Sequence, residues 1–237
     1  MIELADLSKS YNGESLFTSV NGNIEKGKFI GLLGNNGCGK STLLRTIIKE
    51  EALDAGIIKI DGNDIRTLDR LSLSKKLAIV LAGRYHVPSM TVVELLATAR
   101  YPYVSWSGKT DEKGLELIQK YIDEFDIRFL ENRELEKLSD GEFQQVMICR
   151  SFVQDADFVI MDEPSAFLDV LRKRNLFSKL SAFVKSDKGV VVATHDIHEA
   201  LDFCTHIWLI DGGKLVEYKQ DSADLKSHLN RIFATNL

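Results

Sequence analysis

The chain has 237 residues, of which 44% are hydrophobic and 27% charged, and its formal net charge is −5. This is ordinary globular composition, with enough apolar residues for a sizeable core. The sequence holds no block of basic residues, which argues against nucleic acid as a partner because phosphate-backbone binding relies on clustered Lys and Arg. No apolar run approaches the ~20 residues of a transmembrane helix, and the N-terminus lacks the pattern of a signal peptide. We therefore expect a cytosolic chain, unless a partner holds it at a membrane.

Short apolar runs predict the elements of the first eighty residues. The predicted strands are Ile2–Leu7, Phe29–Leu33, Ile57–Ile60 and Leu77–Leu81, and a helix is predicted over Ser41–Ile48. From Thr91 to Asp155 the pattern becomes helical. Two capping boxes, Thr91 with Glu94 and Ser139 with Glu142, mark helix starts in this stretch. The spacing of Leu115, Ile118, Ile122 and Phe125 predicts one buried helix face.

The last third of the sequence alternates strands and helices. Strands are predicted over Phe158–Met161 and Gly189–Thr194, helices over Leu171–Val184 and Ile197–Phe203, and a hairpin from Ile207–Ile210 into Leu215 and Val216. Apolar strands that alternate with helices indicate an α/β fold, with a parallel sheet covered on both faces. We interpret residues 1–237 as one domain and roughly 84–155 as a helical subdomain inserted in it, because both flanks belong to one sheet.

A glycine-rich loop lies between the second predicted strand and the first predicted helix. It matches the phosphate-loop pattern G-x-x-x-x-G-K-S in full, over Gly34, Asn35, Asn36, Gly37, Cys38, Gly39, Lys40 and Ser41, with Thr42 next. The glycines let backbone N–H groups close around phosphates, and the helix N-terminus adds a favourable dipole. Lys40 is expected to reach the β and γ phosphates, and Ser41 to ligate Mg²⁺. The alternative, a purely structural turn, is disfavoured by the strand and helix on either side.

The three cysteines, Cys38, Cys149 and Cys204, are an odd number without metal-site spacing, which fits free thiols in a reducing compartment. Cys38 lies inside the phosphate loop, next to Lys40 and a helix N-terminus. Both features lower a thiol's pKa, so we expect Cys38 to be reactive.

Two carboxylates follow the predicted strand Phe158–Met161. Asp162, at the carboxyl end of a parallel strand, is expected to face the nucleotide and to hold Mg²⁺ through water. Glu163 is placed to polarise the attacking water. Alone, an apolar strand followed by Asp-Glu is more often a charged turn, but the phosphate loop in the same chain favours the catalytic interpretation.

A third motif distinguishes among phosphate-loop proteins, which include GTPases, kinases and helicases. The run Leu138, Ser139, Asp140, Gly141 and Glu142 resembles the L-S-G-G-Q signature of the ABC ATPase family. Asp140 stands for Gly and Glu142 for Gln, while Ser139 and Gly141, which would touch phosphate, are retained. Ser139 also fits a plain helix cap, and the two interpretations are compatible because a capped N-terminus has spare N–H groups.

The resemblance to ABC ATPases continues in chain order. Ser165, Leu168 and Asp169 look like the D-loop, which implies a place at a dimer interface. His195, after a predicted strand, looks like the switch histidine of the catalytic site. Tyr11 resembles the aromatic residue that stacks on adenine, with core packing as the alternative.

One element of the family pattern is missing. The Q-loop glutamine, a Mg²⁺ contact, should end the strand Leu77–Leu81, but Ala82 stands there and has no side-chain oxygen to offer. We expect water to fill that coordination position. Coupling of hydrolysis to the state of a partner is then expected to be weak, and Arg84 is the candidate to carry that signal if strong coupling is nevertheless measured.

A narrower resemblance rests on Ala99-Arg100-Tyr101-Pro102-Tyr103, similar to a stretch in importer ATPases for iron–siderophores, haem and cobalamin. It implies a RecA-like P-loop NTPase core with an N-terminal antiparallel β subdomain, and ATP and Mg²⁺ as cofactors. It also implies a head-to-tail homodimer on a membrane permease, at the cytoplasmic face, with an extracytoplasmic substrate-binding protein. The alternative is a soluble ABC ATPase such as an iron–sulphur assembly factor, which is also a lone short domain.

Overall fold

The computed structural model describes residues 1–84, 88–104 and 112–233. The strands are β1 (Ile2–Tyr11), β2 (Glu14–Ile24), β3 (Phe29–Gly34), β4 (Ala55–Ile60), β5 (Asn63–Asp64), β6 (Leu77–Val80), β7 (Phe158–Asp162), β8 (Gly189–Ala193), β9 (His206–Asp211) and β10 (Lys214–Lys219). The helices are α1 (Lys40–Ile47), α2 (Arg70–Lys76), α3 (Val92–Thr98), α4 (Glu112–Glu124), α5 (Asp140–Val153), α6 (Val170–Val184), α7 (Ile197–Phe203) and α8 (Ala223–Phe233). None of these helices has both the length and the apolar character needed to cross a membrane.

The larger sheet has the order β10-β9-β3-β8-β7-β6, and its pairings are parallel except that of β10 with β9. Every residue of β3, β7 and β8 is buried, as expected for strands covered on both faces. The predicted parallel-sheet core is therefore confirmed. Ala193 of β8 pairs with both Leu32 and Asp162, so the carboxyl ends of the three strands meet at one edge.

The smaller sheet is antiparallel, with the order β2-β1-β4-β5. Its hairpin turns at Asn12 and Gly13, which have φ of 51° and 83°, as a tight two-residue turn requires. The register of β1 against β2 shifts at three places between Leu4 and Ser10. These shifts disturb the alternation of buried and exposed side chains, and β2 was missing from the elements predicted from sequence.

The helical subdomain contains α3, α4 and α5, inserted between β6 and β7. Both predicted capping boxes are formed, at the starts of α3 and α5. The predicted face of α4 was wrong at one position, because Leu115 is 55% exposed while Tyr121 is buried. Tyr121 packs edge-on against Phe152 of α5, so the aromatic ring takes the core position.

The C-terminal helix α8 was not predicted either. It packs on the core through buried Leu225 and Leu229, one helical turn apart. His228 on the same helix contacts the hydroxyl of Tyr218 on β10 and the carboxylate of Asp211 at 2.7 and 3.1 Å. These contacts hold α8 against the β9-β10 hairpin.

Candidate functional site

A cavity of about 510 Å³ lies at the carboxyl edge of the parallel sheet. It is lined by Tyr11, Leu16, Asn36, Gly37, Gly39, Lys40, Ser41, Thr42, Glu163 and His195. The fold thus gathers the glycine-rich loop, the residue after β7 and the histidine after β8 around one space. A cavity of similar size, about 530 Å³, lies between α1 and β4 and contains none of these residues.

Two glycines shape the loop between β3 and α1. Gly39, just before α1, has φ of 104°, and a Cβ there would lie 2.9 Å from Cγ of Leu16. Gly34 has φ of 153°, and a Cβ there would lie 2.8 Å from the carbonyl oxygen of Ile210. Only glycine fits both the backbone and the space at these positions. The N-terminus of α1 is thereby free of side-chain caps and faces the cavity, an arrangement that suits an anion.

Lys40 is buried at the base of the loop. Its Nζ donates hydrogen bonds to the carbonyl oxygens of Gly34 at 2.8 Å and Asn35 at 3.3 Å. A phosphate oxygen carries more charge than a peptide carbonyl and is the stronger acceptor. An arriving phosphate can therefore take over the ammonium group.

Asp162 ends β7 and is only 3% exposed. Its Oδ1 is buried without a hydrogen-bond partner among the described residues. Such an oxygen is costly to bury unless a cation or its water shell satisfies it. The described residues hold no cluster of three or more His, Cys, Asp or Glu side chains for a metal ion. A cation here would depend on hydroxyl, phosphate and water ligands, which are the ones Mg²⁺ prefers.

Glu163 and His195 face each other across the sheet edge. Oε1 of Glu163 and Nε2 of His195 are 2.9 Å apart, but the contact is not aligned as a hydrogen bond, and Oε1 is buried without a donor. Burial raises the pKa of Glu163 to about 7, Lys40 opposes that rise and Asp162 adds to it. Burial also lowers the pKa of His195. A carboxylate with a pKa near neutrality beside a neutral imidazole is suited to take a proton from water.

A hydrogen-bond network that the sequence did not reveal lies behind this pair. Asp196, next to His195, accepts a hydrogen bond from Ser165 Oγ at 2.5 Å and another from Lys173 Nζ at 2.7 Å. Ser165 is fully buried. The network ties the histidine turn to the segment predicted as a D-loop and to α6.

The five predicted signature residues, Leu138 to Glu142, lie away from this cavity. None of the five lines the cavity, since they lie at the N-terminus of α5 in the helical subdomain. Gly141 approaches the next segment closely, because a Cβ there would lie 3.2 Å from the carbonyl oxygen of Phe167. Phe167 and the nearby residues Val170 and Leu171 at the start of α6 have exposed side chains. We call these three side chains the apolar patch.

The predicted low pKa of Cys38 was wrong, because burial raises the pKa of this thiol and outweighs the opposing effect of Lys40.

Ala82 is exposed after β6, as expected for a loop residue. Arg84, two residues on, donates from Nη1 to Asp140 Oδ1 at 3.0 Å and so reaches the signature loop.

Comparison with known proteins decides the family, since residues 17–166 match the ABC transporter family model. The chain belongs to the ABC transporter family as its ATPase domain. The predicted resemblance is thereby confirmed. An uncharacterised ABC transporter ATP-binding protein of Methanocaldococcus jannaschii, MJ0873, is 31% identical over 92% of this chain and 76% of its own length.

Two further relatives of this ABC ATPase bear on its function. The petrobactin import ATP-binding protein YclP of Bacillus subtilis is 29% identical over 92% of this chain and 86% of its own length. Among solved structures, the dimeric bacterial ABC transporter cassette MJ0796 superposes with a TM-score of 0.83 at 25% identity. That match covers 94% of this chain and 100% of the cassette.

Proposed function

We propose that this ABC ATPase powers a membrane importer for an iron–siderophore or related metal chelate. The observation that carries the ATP-hydrolysing part of the proposal is the arrangement of Lys40, Glu163 and His195 around one cavity, next to a buried carboxylate oxygen of Asp162. The choice of cargo class is supported by the similarity to YclP, a petrobactin import protein, and by the Arg100-Tyr101-Pro102 stretch.

In the proposed mechanism the phosphates of ATP lie on the loop between β3 and α1, and Tyr11 stacks on adenine. Lys40 exchanges its carbonyl partners for phosphate oxygens. Ser41 and, through water, Asp162 would hold Mg²⁺, which supplies charge neutralisation at the phosphates. Glu163 orients the attacking water and accepts its proton, and His195, whose Nε2 lies 2.9 Å from Glu163 Oε1, would contact the γ phosphate.

A second copy of the chain is part of the proposal. The signature loop does not reach the cavity of its own subunit, and exposed apolar patches mark interaction sites. In a head-to-tail homodimer the N-terminus of α5 would lie over the nucleotide of the partner, where its free N–H groups suit phosphate. The apolar patch would be covered in the same contact.

We place the permease at a groove next to Ala82. The groove encloses about 320 Å³ between the core and the helical subdomain and is lined by Glu50, Ile79, Leu81, Leu95, Leu135, Phe143, Met147 and Arg150. Its largely apolar lining suits the buried face of a cytoplasmic helix of a membrane protein. The ATPase would then work at the cytoplasmic face of the membrane, in a system served by an extracytoplasmic substrate-binding protein.

The decisive variant is Glu163→Gln. It should lose about 10²–10⁴-fold in ATP hydrolysis while still binding ATP, because only the proton acceptor is removed. With Mg·ATP it should accumulate as a dimer on size-exclusion chromatography. Glu116→Gln, an exposed residue of α4, is the matched control and should hydrolyse normally.

Normal turnover in Glu163→Gln would remove that residue from the catalytic role, and monomeric elution with ATP would contradict the homodimer. The importer itself is tested by pull-down from detergent-solubilised membranes. Recovery of a many-helix permease supports transport, whereas recovery only from the soluble fraction favours an iron–sulphur assembly ATPase.

A further inference from the structure

The signature loop of this chain carries two carboxylates where the L-S-G-G-Q pattern has none. Asp140 and Glu142 both lie in the first turn of α5. In the proposed dimer this turn faces the phosphates of the partner's nucleotide. Two uncompensated negative charges there would repel a phosphate group and weaken closure of the dimer.

Each carboxylate has an arginine beside it. Arg133 Nη1 lies 3.3 Å from Glu142 Oε1, and Arg84 Nη1 lies 3.0 Å from Asp140 Oδ1. Glu142 is also held by the cap, because Ser139 donates to its Oε2 from the backbone nitrogen at 2.8 Å and from Oγ at 2.9 Å. Asp140 has no such cap and is 63% exposed, so within the described ranges its charge is balanced by Arg84.

Arg84 is held in place by more than this ion pair. Its Nη2 donates to the carbonyl oxygens of Leu135 at 2.9 Å and Glu136 at 3.1 Å, and its guanidinium lies 5.4 Å from the ring centroid of Phe143. These contacts fix the planar group against the turn that precedes α5. The residue itself comes from the loop after β6, two positions beyond Ala82, so it joins the core to the signature loop.

We propose that Arg84 neutralises Asp140 and thereby makes this signature loop able to receive ATP across the dimer interface. The inference rests on the proposed homodimer. It assigns Arg84 a positioning and charge-balancing role and explains how the signature loop can carry a carboxylate at Asp140. The role concerns the dimer because an exposed ion pair contributes little to folding. Once the interface excludes water, an unpaired carboxylate beside phosphate becomes much more costly.

The test measures ATP-dependent dimerisation by analytical ultracentrifugation, in the Glu163→Gln background that traps the dimer. Adding Arg84→Ala should weaken dimerisation at least about tenfold, which corresponds to ~1.4 kcal/mol. Adding Asp140→Asn as well should restore most of that loss, because the repelling charge is gone. Dimerisation of the Arg84→Lys variant should be intermediate between that of the parent and that of Arg84→Ala, since lysine keeps the charge without the planar fork. The deficit should shrink as salt is raised.

Arg128→Ala is the matched control. Arg128 pairs with Asp123 at 2.7 Å, and the two side chains are 49% and 63% exposed, against 37% and 63% for Arg84 and Asp140. It should leave dimerisation unchanged, and both alanine variants should unfold at similar temperatures. Equal dimerisation with and without Arg84 overturns the inference. Failure of Asp140→Asn to rescue also overturns it, because the lost carbonyl contacts then explain the defect. Absence of a dimer in Glu163→Gln itself overturns the proposed homodimer and this inference with it.

Discussion

Asp162 and Glu163 are neighbours in sequence but lie in different surroundings. Asp162 ends a fully buried strand, whereas Glu163 has φ of 49° and turns toward His195. Its backbone N–H donates to the carbonyl oxygen of Ala193 at 2.9 Å, which keeps the turn in register with β8. The difference fits the roles that we propose for the two carboxylates, a cation site at Asp162 and a proton acceptor at Glu163.

The pH dependence of hydrolysis follows from the pKa of Glu163, which burial raises to about 7. Below that pH the carboxyl is protonated in the free enzyme and cannot accept a proton from water. We therefore expect kcat/KM to fall about tenfold per pH unit below about pH 7 and to level off above it. The pKa of His195 is lowered, so the imidazole stays neutral over the upper part of this range.

The measurement is kcat/KM of the native chain from about pH 5.5 to 8.5, with Mg·ATP affinity of Glu163→Gln followed over the same range. The affinity data separate titration of the nucleotide from titration of the enzyme. A flat native profile would show that Glu163 is not the titrating base.

What the sequence can predict about single residues depends on how far apart in sequence the contacting residues lie. The residues of the phosphate loop are adjacent in sequence, so a sequence motif is enough to predict what they bind. The bonds of Asp196 to Ser165 and Lys173 span 31 and 23 residues, and no local pattern reveals them. Cys38 shows the same limit, because neighbours in sequence predicted a lowered pKa while burial by the fold raises it.

Among the elements, those predicted best have strong periodicity or continuous apolar runs. Strands β3, β7 and β8 are apolar throughout because helices cover both faces of the sheet. In β2 the register shifts interrupt the alternation of buried and exposed side chains. Only the Asn12-Gly13 turn indicated that a hairpin was present. For α8 the signal was the spacing of Leu225 and Leu229, which is too short a pattern to separate from a loop.

Helix α3 offers a test of local structure in the helical subdomain. Thr91 Oγ1 accepts from the Glu94 backbone nitrogen at 3.4 Å, and the Thr91 backbone nitrogen donates to Glu94 Oε2 at 2.8 Å, which closes the capping box. Thr91→Ala should reduce the free energy of unfolding by ~1 kcal/mol, measured by urea denaturation.

Nucleotide affinity of the Thr91→Ala subunit should stay unchanged, because α3 does not line the cavity. Thr67→Ala is the control, an exposed threonine that caps no α-helix. It should change stability by less than ~0.5 kcal/mol. A loss as large as that of Thr91→Ala would show that the capping box is not the cause.

At the scale of the whole molecule, the proposed homodimer would build each nucleotide site from two parts of the subunit that lie apart. The phosphate loop and the Glu163–His195 pair lie at the sheet edge, and the signature loop lies on the helical subdomain. The loop after β6 connects the two bodies and borders the groove that we assign to the permease. In the proposed complex a change in the angle between core and subdomain would alter the groove and the nucleotide cavity together.

Ala82 lies at this junction and makes the coupling testable. The family's glutamine would add a ligand to Mg²⁺ that responds to the γ phosphate, whereas with alanine water is expected to complete the octahedral shell. Binding of Mg·ATP should then be little impaired. In the proposed complex the alanine leaves the permease contact without a bond to the cation, so we expect the permease to stimulate hydrolysis only weakly. Ala82→Gln should raise that stimulation about several-fold.

The rates to compare are those of the isolated subunit and of its complex with the permease recovered from membranes, for the native chain and for Ala82→Gln. Ala52→Gln, at an exposed alanine in the loop between α1 and β4, controls for the added amide. Strong stimulation of the native complex, unchanged in Ala82→Gln, would contradict the account and make Ala82 a neutral replacement. The link between groove and signature loop would then fall to Arg84, whose contacts with Asp140, Leu135 and Glu136 already join the two bodies. Arg84→Ala would in that case abolish the stimulation that Ala82→Gln leaves alone.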